Sequence, residues 1–519
     1  MPLTNTRPIS NLHSPFSVDA WRAPAFAGVL EALLAEQEPI YVVGGAVRDF
    51  LLGRDAGLTD LDLALAGPVL PLARRVADRL GWAYYPLDAE RDVARIVQRR
   101  DGAAPLVCDL AALRGDLAQD LALRDFTVNA LALQMTADGP PHLIDRCDGV
   151  GDLRRQRIRA VTRQSLAADP IRTLRALRFA AQLGFTLAEQ TAAQIPALAP
   201  RVTQTSPERQ RDELWKMLGL ARPGDRLADM QRLGLLVHVL PEVAALDQVE
   251  QSPPHRLDVL QHTCEVMDGA AALRDWLADR NFALPDRALE ETLTPRREQL
   301  AVHFAQELAS GRSRAAWLVW HALFHDTGKP ACASVETDAG GARRIRFFGH
   351  AQVSANIAER RSLALRFSRR EAQIARAVAA AHTRPHDLRA SFPHGAISRR
   401  ACYRFFRDTA TGGRGDRSGL DVLLLALADS QAPGKASGAE ASNDLAGIAT
   451  LLDYGLAPET AARQPLVDGR RLMRALGLSP GQTVGFLLES IREAQAAGEV
   501  TTEEEALDLA AELLARRDG

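Results

Sequence analysis

Cysteine is scarce: the 519 residues carry five. They stand at Cys108, Cys147, Cys264, Cys332 and Cys402, an odd number, widely scattered and without Cys-x-x-Cys spacing. That excludes a disulfide scaffold, a zinc knuckle and a dithiol redox site, and it predicts reduced, buried thiols. Long apolar runs are missing too. No stretch approaches the roughly eighteen residues of a membrane helix, and the first residues lack the charged-then-apolar pattern of a secretory leader. The expectation is a cytoplasmic protein with no membrane partner. Neither sign of charge prevails, since 63 Lys and Arg face 65 Asp and Glu for a formal net charge of -2. A nucleic-acid partner must then be held by a local patch, not by overall attraction. No repeat period of the solenoid kind is present.

What is there begins with length. A chain of 519 residues is too long for one core, so several domains are expected, and 46% apolar with 25% charged residues describes a globular protein. Residues 1 to about 25 are rich in Pro and Ser and are expected to be poorly ordered. From about 28 to 145, short β-rich runs alternate with helical ones, with strands expected at Tyr41 to Val43, Leu61 to Ala64, Ala94 to Gln98, Leu106 to Asp109 and Val128 to Gln134. After Leu153 the pattern turns helical, with Ile171, Leu174, Leu177 and Leu183 at helical spacing and Asp169-Pro170 as cap and first-turn proline. Loops are expected at 278 to 296, 411 to 419 and 430 to 443. One basic patch stands out: between Arg154 and Arg178 there are eight arginines and one acid, Asp169.

The segment Leu58 to Leu65 places Asp60 and Asp62 two apart among apolar residues. Period-two alternation sends both carboxylates to one face of a strand, while Leu61 and Leu63 point to the other. Mg²⁺ takes such ligands, one or two carboxylates plus substrate phosphates. Upstream, a buried run ends in Gly44-Gly45, where missing side chains let backbone approach phosphate oxygens, and Arg48 and Asp49 follow. Transfer of a nucleotide to a hydroxyl needs an activated oxygen and a stabilised pyrophosphate, which two cations on shared carboxylates supply. Asp109, ending the run Leu106-Val107-Cys108, is the candidate third catalytic carboxylate. Asp169 and Arg172, i and i+3 at a helix start, share a face. A carboxylate accepts only and a guanidinium donates only, so the pair can admit cytosine and adenine, each with an amino donor beside a ring acceptor, and refuse uracil and guanine.

Gly-Gly-Ala-Val-Arg-Asp, the acidic pair and Arg124-Asp125-Phe126-Thr127-Val128-Asn129-Ala130 follow one another within about ninety residues. Together they resemble the class II CCA-adding enzyme (tRNA nucleotidyltransferase) and poly(A) polymerase family. The resemblance implies that Gly44, Gly45, Arg48, Arg124, Asp125 and Asn129 contact sugar and triphosphate, and that Asp169 and Arg172, with Arg175 and Arg178 beyond them, serve nucleotide binding. It also implies Mg²⁺ on Asp60 and Asp62, with ATP, CTP and tRNA as partners. Two positions depart from the family pattern: Leu123 replaces an arginine, and Ala168 replaces the glutamate before Asp169. Asp145 matches the link from head to neck, and Ser206-Pro207-Glu208-Arg209 with Glu213 resembles a further family motif, expected to buttress a helix.

His262, the doublet His325-Asp326 and Asp429 stand in the order His, His-Asp, Asp, which resembles the HD phosphohydrolase superfamily. Imidazoles mixed with carboxylates suit a divalent transition metal, and His350 and His382 could supply a second ion. The run from Pro465 to Gly485 resembles the family's carboxy-terminal body and tail, which hold RNA by backbone contacts; Arg370 and Arg384 are residues of that kind.

The fold expected is therefore α+β: a nucleotidyltransferase head with a small mixed sheet at 28-145, a neck with base-reading and RNA-binding helices at 146-250, an HD phosphohydrolase-like domain at 251-440, and a helical body and tail at 441-519. The function expected is template-independent addition of C and A to the 3′ end of tRNA. Poly(A) addition, CC-only or A-only addition, or an HD phosphohydrolase with a nucleotide-binding head are the alternatives.

Overall fold

The computed structural model describes residues 24–518 except 37–38, 55–56, 138, 254–255, 310, 338–340, 342, 393–396, 413–415, 433–438 and 458–464. The Pro- and Ser-rich start expected to be poorly ordered lies almost wholly outside the described residues. The chain folds as two compact units, the first running to Glu213 with Leu233–His238 added, the second formed by Leu214–Arg232 and Val239–Gly519. The expected neck, 146-250, contributes to both.

The first unit holds one seven-stranded sheet of order β3-β4-β5-β2-β1-β6-β7. Its strands are β1 (Ile40–Val43), β2 (Asp60–Leu65), β3 (Ala83–Asp88), β4 (Val93–Arg100), β5 (Ala103–Ala112), β6 (Leu131–Met135) and β7 (His142–Asp145). β2 and β5 run parallel and the other neighbours antiparallel, a mixed sheet in an α+β protein. Leu61, Leu63 and Leu65 are buried while Asp60 and Asp62 are exposed, so the alternation does fix which face of β2 carries the acids. Four short helices of this unit matter below: α1 (Ala27–Leu34), α2 (Gly45–Leu51), α3 (Val69–Leu80) and α4 (Leu117–Ala122). α5 (Arg172–Leu183) follows in the arginine-rich segment, and α6 (Pro207–Leu218) carries Arg209 and Glu213.

Several local expectations are corrected. β3 and β7 were not foreseen: β3 is a mostly exposed edge strand containing Pro86, and β7 is short and polar at its end. The run Val128 to Gln134 is a strand only from Leu131, because Thr127–Asn129 turn as a 3-10 helix. Residues 278 to 296 are not all loop, since Arg287–Leu293 is helical with Asp286 capping it through Ala288 and Leu289 N–H. The 430 to 443 segment becomes helical at Ala439. Asp169 is not the side-chain cap of α5, whose N-cap is Ile171 without a capping bond. Cys108 and Cys402 are buried, but Cys147, Cys264 and Cys332 are partly exposed, and all five thiols are free.

The second unit is built mainly from helices. Those used below are α7 (Val259–Ala278), α8 (Arg314–Phe324), α9 (His350–Ala364), α10 (Arg369–Ala381), α11 (Arg384–Ser391) and α12 (Ser418–Ser430). The sequence's few aromatics collect in its core, where Trp317 packs edge-on against Trp320 and Phe367. Toward the chain end α13 (Gly469–Leu476), α14 (Gln482–Ala497) and α15 (Glu503–Asp518) enclose Leu472, Leu487, Ile491 and Ala506. No helix among the described residues is long and apolar enough to cross a membrane.

Candidate functional site

Parallel pairing of β2 with β5 sets Asp62 directly beside Asp109, and β1 places Val43 on its other side. Gly44 follows with φ 76°, and a Cβ there would lie 3.3 Å from Arg124 Nη1 and 3.4 Å from Asp62 Oδ2. The glycine thus supplies a positive φ and keeps the floor between acid and arginine open. Its N–H donates to Leu131 O at 3.3 Å, so it braces β6. Asp62 has its carboxyl raised above the ordinary range, first by desolvation among crowded neighbours and then by the Asp109 charge, with Arg124 opposing and Asp60 adding to the rise. Carboxylates so crowded are a donor set that a divalent cation relieves, and the residues fit that use. Asp109 is gripped by Arg95 of β4 in a two-pronged pair at 2.7 and 2.8 Å, which leaves Asp60 and Asp62 as the carboxylates toward solvent.

Arg124 is aimed by an acid that sequence reasoning missed. Asp120, buried on α4, accepts from Arg124 Nη2 at 3.1 Å and from Arg114 Nε at 2.7 Å. Burial works against its charge, yet the two arginines hold the carboxyl below the usual range.

Beyond Arg124 runs a buried chain of polar contacts. Arg48 Nη1 donates to Asn129 Oδ1 at 2.7 Å, while its Nε and Nη2 go to Asp49 at 2.8 and 2.9 Å. Asn129 Nδ2 donates to Asp125 Oδ1 at 3.2 Å, and Arg175 Nη2 reaches Asp125 Oδ2 at 2.7 Å. Burial opposes the Asp125 charge, but Arg175 beside it, with Asn129 and the Phe126 N–H, holds the carboxyl low. Arg175 also meets Glu213 Oε1 at 3.3 Å, and Arg178 Nε meets Glu213 Oε2 at 2.6 Å. Arg178 lies 4.0 Å over the Phe179 ring. Arg48, Arg175 and Arg178, expected to face a nucleotide, are here spent on the protein's own groups, because buried charges need partners close by. Asp145 accepts from the N–H groups of Cys147, Gly149 and Val150 at 2.9 to 3.1 Å and organises a turn.

Asp169 and Arg172 stand close, Arg172 Nε lying 4.0 Å from Asp169 Oδ2. Arg172 is fixed by backbone: Nη1 donates to Ser165 O at 3.0 Å and Arg124 O at 3.2 Å, and Nη2 to Leu123 O at 2.9 Å. Asp169 is engaged by Arg209, Nη1 to Oδ1 at 3.1 Å and Nη2 to Oδ2 at 2.6 Å. This charged fork outcompetes a single backbone N–H, which is why Asp169 does not cap α5.

In the second unit, α7 supplies His262, the end of α8 leads into His325-Asp326, α9 begins with His350, α10 ends before His382, and α12 carries Asp429. The fold brings all six together. His262 Nε2 is 2.9 Å from Asp429 Oδ1, His325 Nε2 3.1 Å from Asp326 Oδ2, and His350 and His382 Nε2 are 3.4 and 3.6 Å from Asp326 Oδ1. His325, His350 and His382 each place Nδ1 within 2.7 to 2.8 Å of a carbonyl three residues back, so Nδ1–H donates there, and in the neutral rings of His350 and His382 Nε2 keeps its lone pair. His350 and His382 then face each other Nε2 to Nε2 at 3.2 Å. Two acceptors at that distance are what a shared cation resolves, and His262, His325 and Asp326, or Asp326, His350 and His382, could hold one. Burial would raise Asp326, but His325 and Lys329 beside it hold the carboxyl well below the usual range. His386 of α11, not anticipated, stands 3.8 Å from Asp429 Oδ2. The cluster opens on a cavity of about 600 Å³ whose lining includes Lys329, Arg344 and Arg346.

A sequence model of the poly A polymerase head domain matches residues 40–159, one of the probable RNA- and SrmB-binding site of polymerase A matches 184–246, and the HD domain matches 296–434. The chain is 33% identical to the A-adding tRNA nucleotidyltransferase of Deinococcus radiodurans over 479 residues, 90% of this chain and 93% of that one. The chain belongs to the tRNA nucleotidyltransferase family. A second member, the CC-adding tRNA nucleotidyltransferase of Geobacter sulfurreducens, is 32% identical over 467 residues, 90% of each chain. A solved complex of a CCA-adding enzyme with CTP shares the fold, with a TM-score of 0.60, 21% identity, and 96% of this chain and 97% of that one covered. Membership makes this chain a nucleotidyltransferase carrying an HD domain. Both of its matched catalytic families generally work with divalent metals, and the His/Asp cluster brings donor atoms for one within reach of each other. The HD match begins at 296, so His262 joins that cluster from outside it, carried in by α7.

Proposed function

We propose that this enzyme adds C and A to the 3′ end of tRNA from CTP and ATP, releasing pyrophosphate, and that it works in the cytoplasm. The observation that carries the reading is the register of β2 against β5, which sets Asp62 beside Asp109 with Asp60 on the same face. Asp60 and Asp62 are the residues that would hold Mg²⁺, with Asp109, held by Arg95, as the third carboxylate beside them. When bound, that ion neutralises charge at the attacking hydroxyl and the departing pyrophosphate. Arg124, aimed by Asp120 past Gly44, meets phosphate oxygens beside the acids, and Asn129 and Asp125 fix the floor beneath. Arg48, Arg175 and Arg178 act as supports for that floor and not as nucleotide contacts.

Asp169 and Arg172 select the base. Asp169 accepts from the exocyclic amino group and Arg172 donates to the ring nitrogen or carbonyl, so U and G present the wrong pattern to the carboxylate. The neck (146-250), HD domain (251-440) and body with tail (441-519) carry base reading, the His/Asp cluster and RNA backbone contacts. In the HD domain, His262, His325, Asp326, His350, His382 and Asp429 hold a divalent transition metal.

The deciding experiment offers purified protein tRNA ending before CCA, after C and after CC, with each labelled triphosphate separately. Stepwise extension to CCA from CTP and ATP is the expected product. Three near-full-length relatives are named A-adding or CC-adding enzymes, and Ala168 stands where the family pattern has glutamate, so a product stopping at CC, or growing only by a final A, would establish the narrower reading. No incorporation with any tRNA across several divalent metals would overturn both. Replacement Asp169→Ala tests base selection: CTP and ATP preference over UTP and GTP should collapse, and unchanged selectivity would refute the assigned role.

A further inference from the structure

Three helices of the second unit point their carboxy-terminal ends at the His/Asp cluster. His325-Asp326 follow α8, His382 follows α10, and Asp429 is the penultimate residue of α12. Their amino-terminal ends also share a place. Arg314 is the first residue of α8, Arg370 the second of α10, and Arg417 the N-cap of α12, and all three line one cavity of about 580 Å³ together with Gln299, Gln306 and Gln373.

That cavity is electropositive by construction. Three guanidinium groups line it, while the helix starts are already served by the protein itself: Ser313 caps α8, Ser368 and Glu371 cap α10, and Asp421 stands in the first turn of α12. Arg314 is buried, 3% exposed, anchored by Nη1 to Asp421 Oδ2 at 2.8 Å, with its Nε without a hydrogen-bond partner among the described residues. Arg370 and Arg417 have no acidic partner among the described residues. Asp416 is the one acid lining the cavity among the described residues. It lies 3.6 Å from Arg314, but its oxygens serve a loop, accepting from Ser418 N and Oγ at 3.0 and 2.7 Å and from Thr411 N at 2.7 Å.

We propose that this cavity binds a phosphate ester of nucleotide size, at a site separate from both the transfer acids and the His/Asp cluster. The arginine forks match phosphate oxygens, and the three glutamine amides offer donors and acceptors to a base or sugar. The volume lies within the range of roughly 300 to 1,000 Å³ typical of small-ligand pockets. The phosphate comes either from a free nucleotide or from an RNA strand.

The test compares the full chain with its Arg370→Glu/Arg417→Glu variant, both carrying Asp60→Asn and Asp62→Asn to silence transfer. Both arginines lie away from the buried Arg314–Asp421 bond, so folding should persist, checked by an unchanged melting transition and unchanged metal content. Equilibrium dialysis with labelled AMP and a tRNA binding titration are the two arms. Affinity for AMP should fall by about tenfold or more in the variant. A loss confined to tRNA would assign the phosphate to RNA. Equal affinity of variant and parent in both arms would overturn the proposal.

Discussion

The two ligand clusters of this chain are built on opposite principles. In the sheet, Asp60 and Asp62 stand at a strand start, negative groups held near one another by register, and desolvation first, then the Asp109 charge, make Asp62 hold its proton more tightly than usual. In the helical unit, His262, His325, Asp326 and His382 are buried, and three rings, those of His325, His350 and His382, are locked by a carbonyl three residues back before anything binds. The first arrangement is open on one side and needs a substrate's phosphates to complete it; the second is closed in by helices except where it meets its cavity, and already brings imidazoles and carboxylates together. An open acidic site can be entered by a long polymer end, whereas a buried imidazole site favours retention of its ion.

Breaking the open cluster should have the greatest effect. Asp60→Asn with Asp62→Asn should lower nucleotide incorporation by about a thousandfold or more, the scale of removing a principal electrostatic contributor, with the melting transition no lower than the parent's. Undiminished RNA extension by a folded variant would end the comparison. The support beneath that cluster comes next. Glu213→Ala strands Arg178 in a buried position, and a loss of about 3 to 5 kcal/mol is expected in denaturant unfolding. The closed cluster should respond differently: His350→Ala should reduce bound metal, read by elemental analysis, by about tenfold or more, while CCA addition stays near the parent rate. A parallel collapse of addition would mean that the two clusters are not independent.

The smallest effect concerns pH. Asp62 has a folded pKa above its unfolded one, so its contribution to the metal-free fold is fully present below the ordinary aspartate range and is lost as pH rises through the raised value. Asp62→Asn should therefore raise the melting point of metal-free protein slightly at neutral pH and not at pH 3. Metal binding by the parent should weaken as pH falls through the same window. Identical metal-free melting curves at both pH values would remove the argument that the carboxylates repel.

The acidic pair was legible because period-two alternation needs no tertiary knowledge, and the HD ligands were legible because their order along the chain survives folding. Asp109 was named from a strand end, but its place beside Asp62 depends on a parallel pairing between strands separated by two others in sequence. Asp120 and Arg209 were not recognised as partners, since an acid that orients an arginine looks the same on paper as one facing water. Arg48, Arg175 and Arg178 pair with Asn129, Asp125 and Glu213, contacts that a motif does not reveal because they depend on tertiary packing. β3 escaped notice because an exposed edge strand shows little apolar alternation.

Arg172 hangs by two nitrogens from the carbonyls of Leu123 and Arg124, and Arg124 in turn leans over Asp62. On the proposed reading, choice of letter and making of the bond would be one mechanical piece, since a tilt of α5 would pull on the turn at 123–124 through Arg172. A misfit at the base would then be felt at Arg124, the group beside the acids.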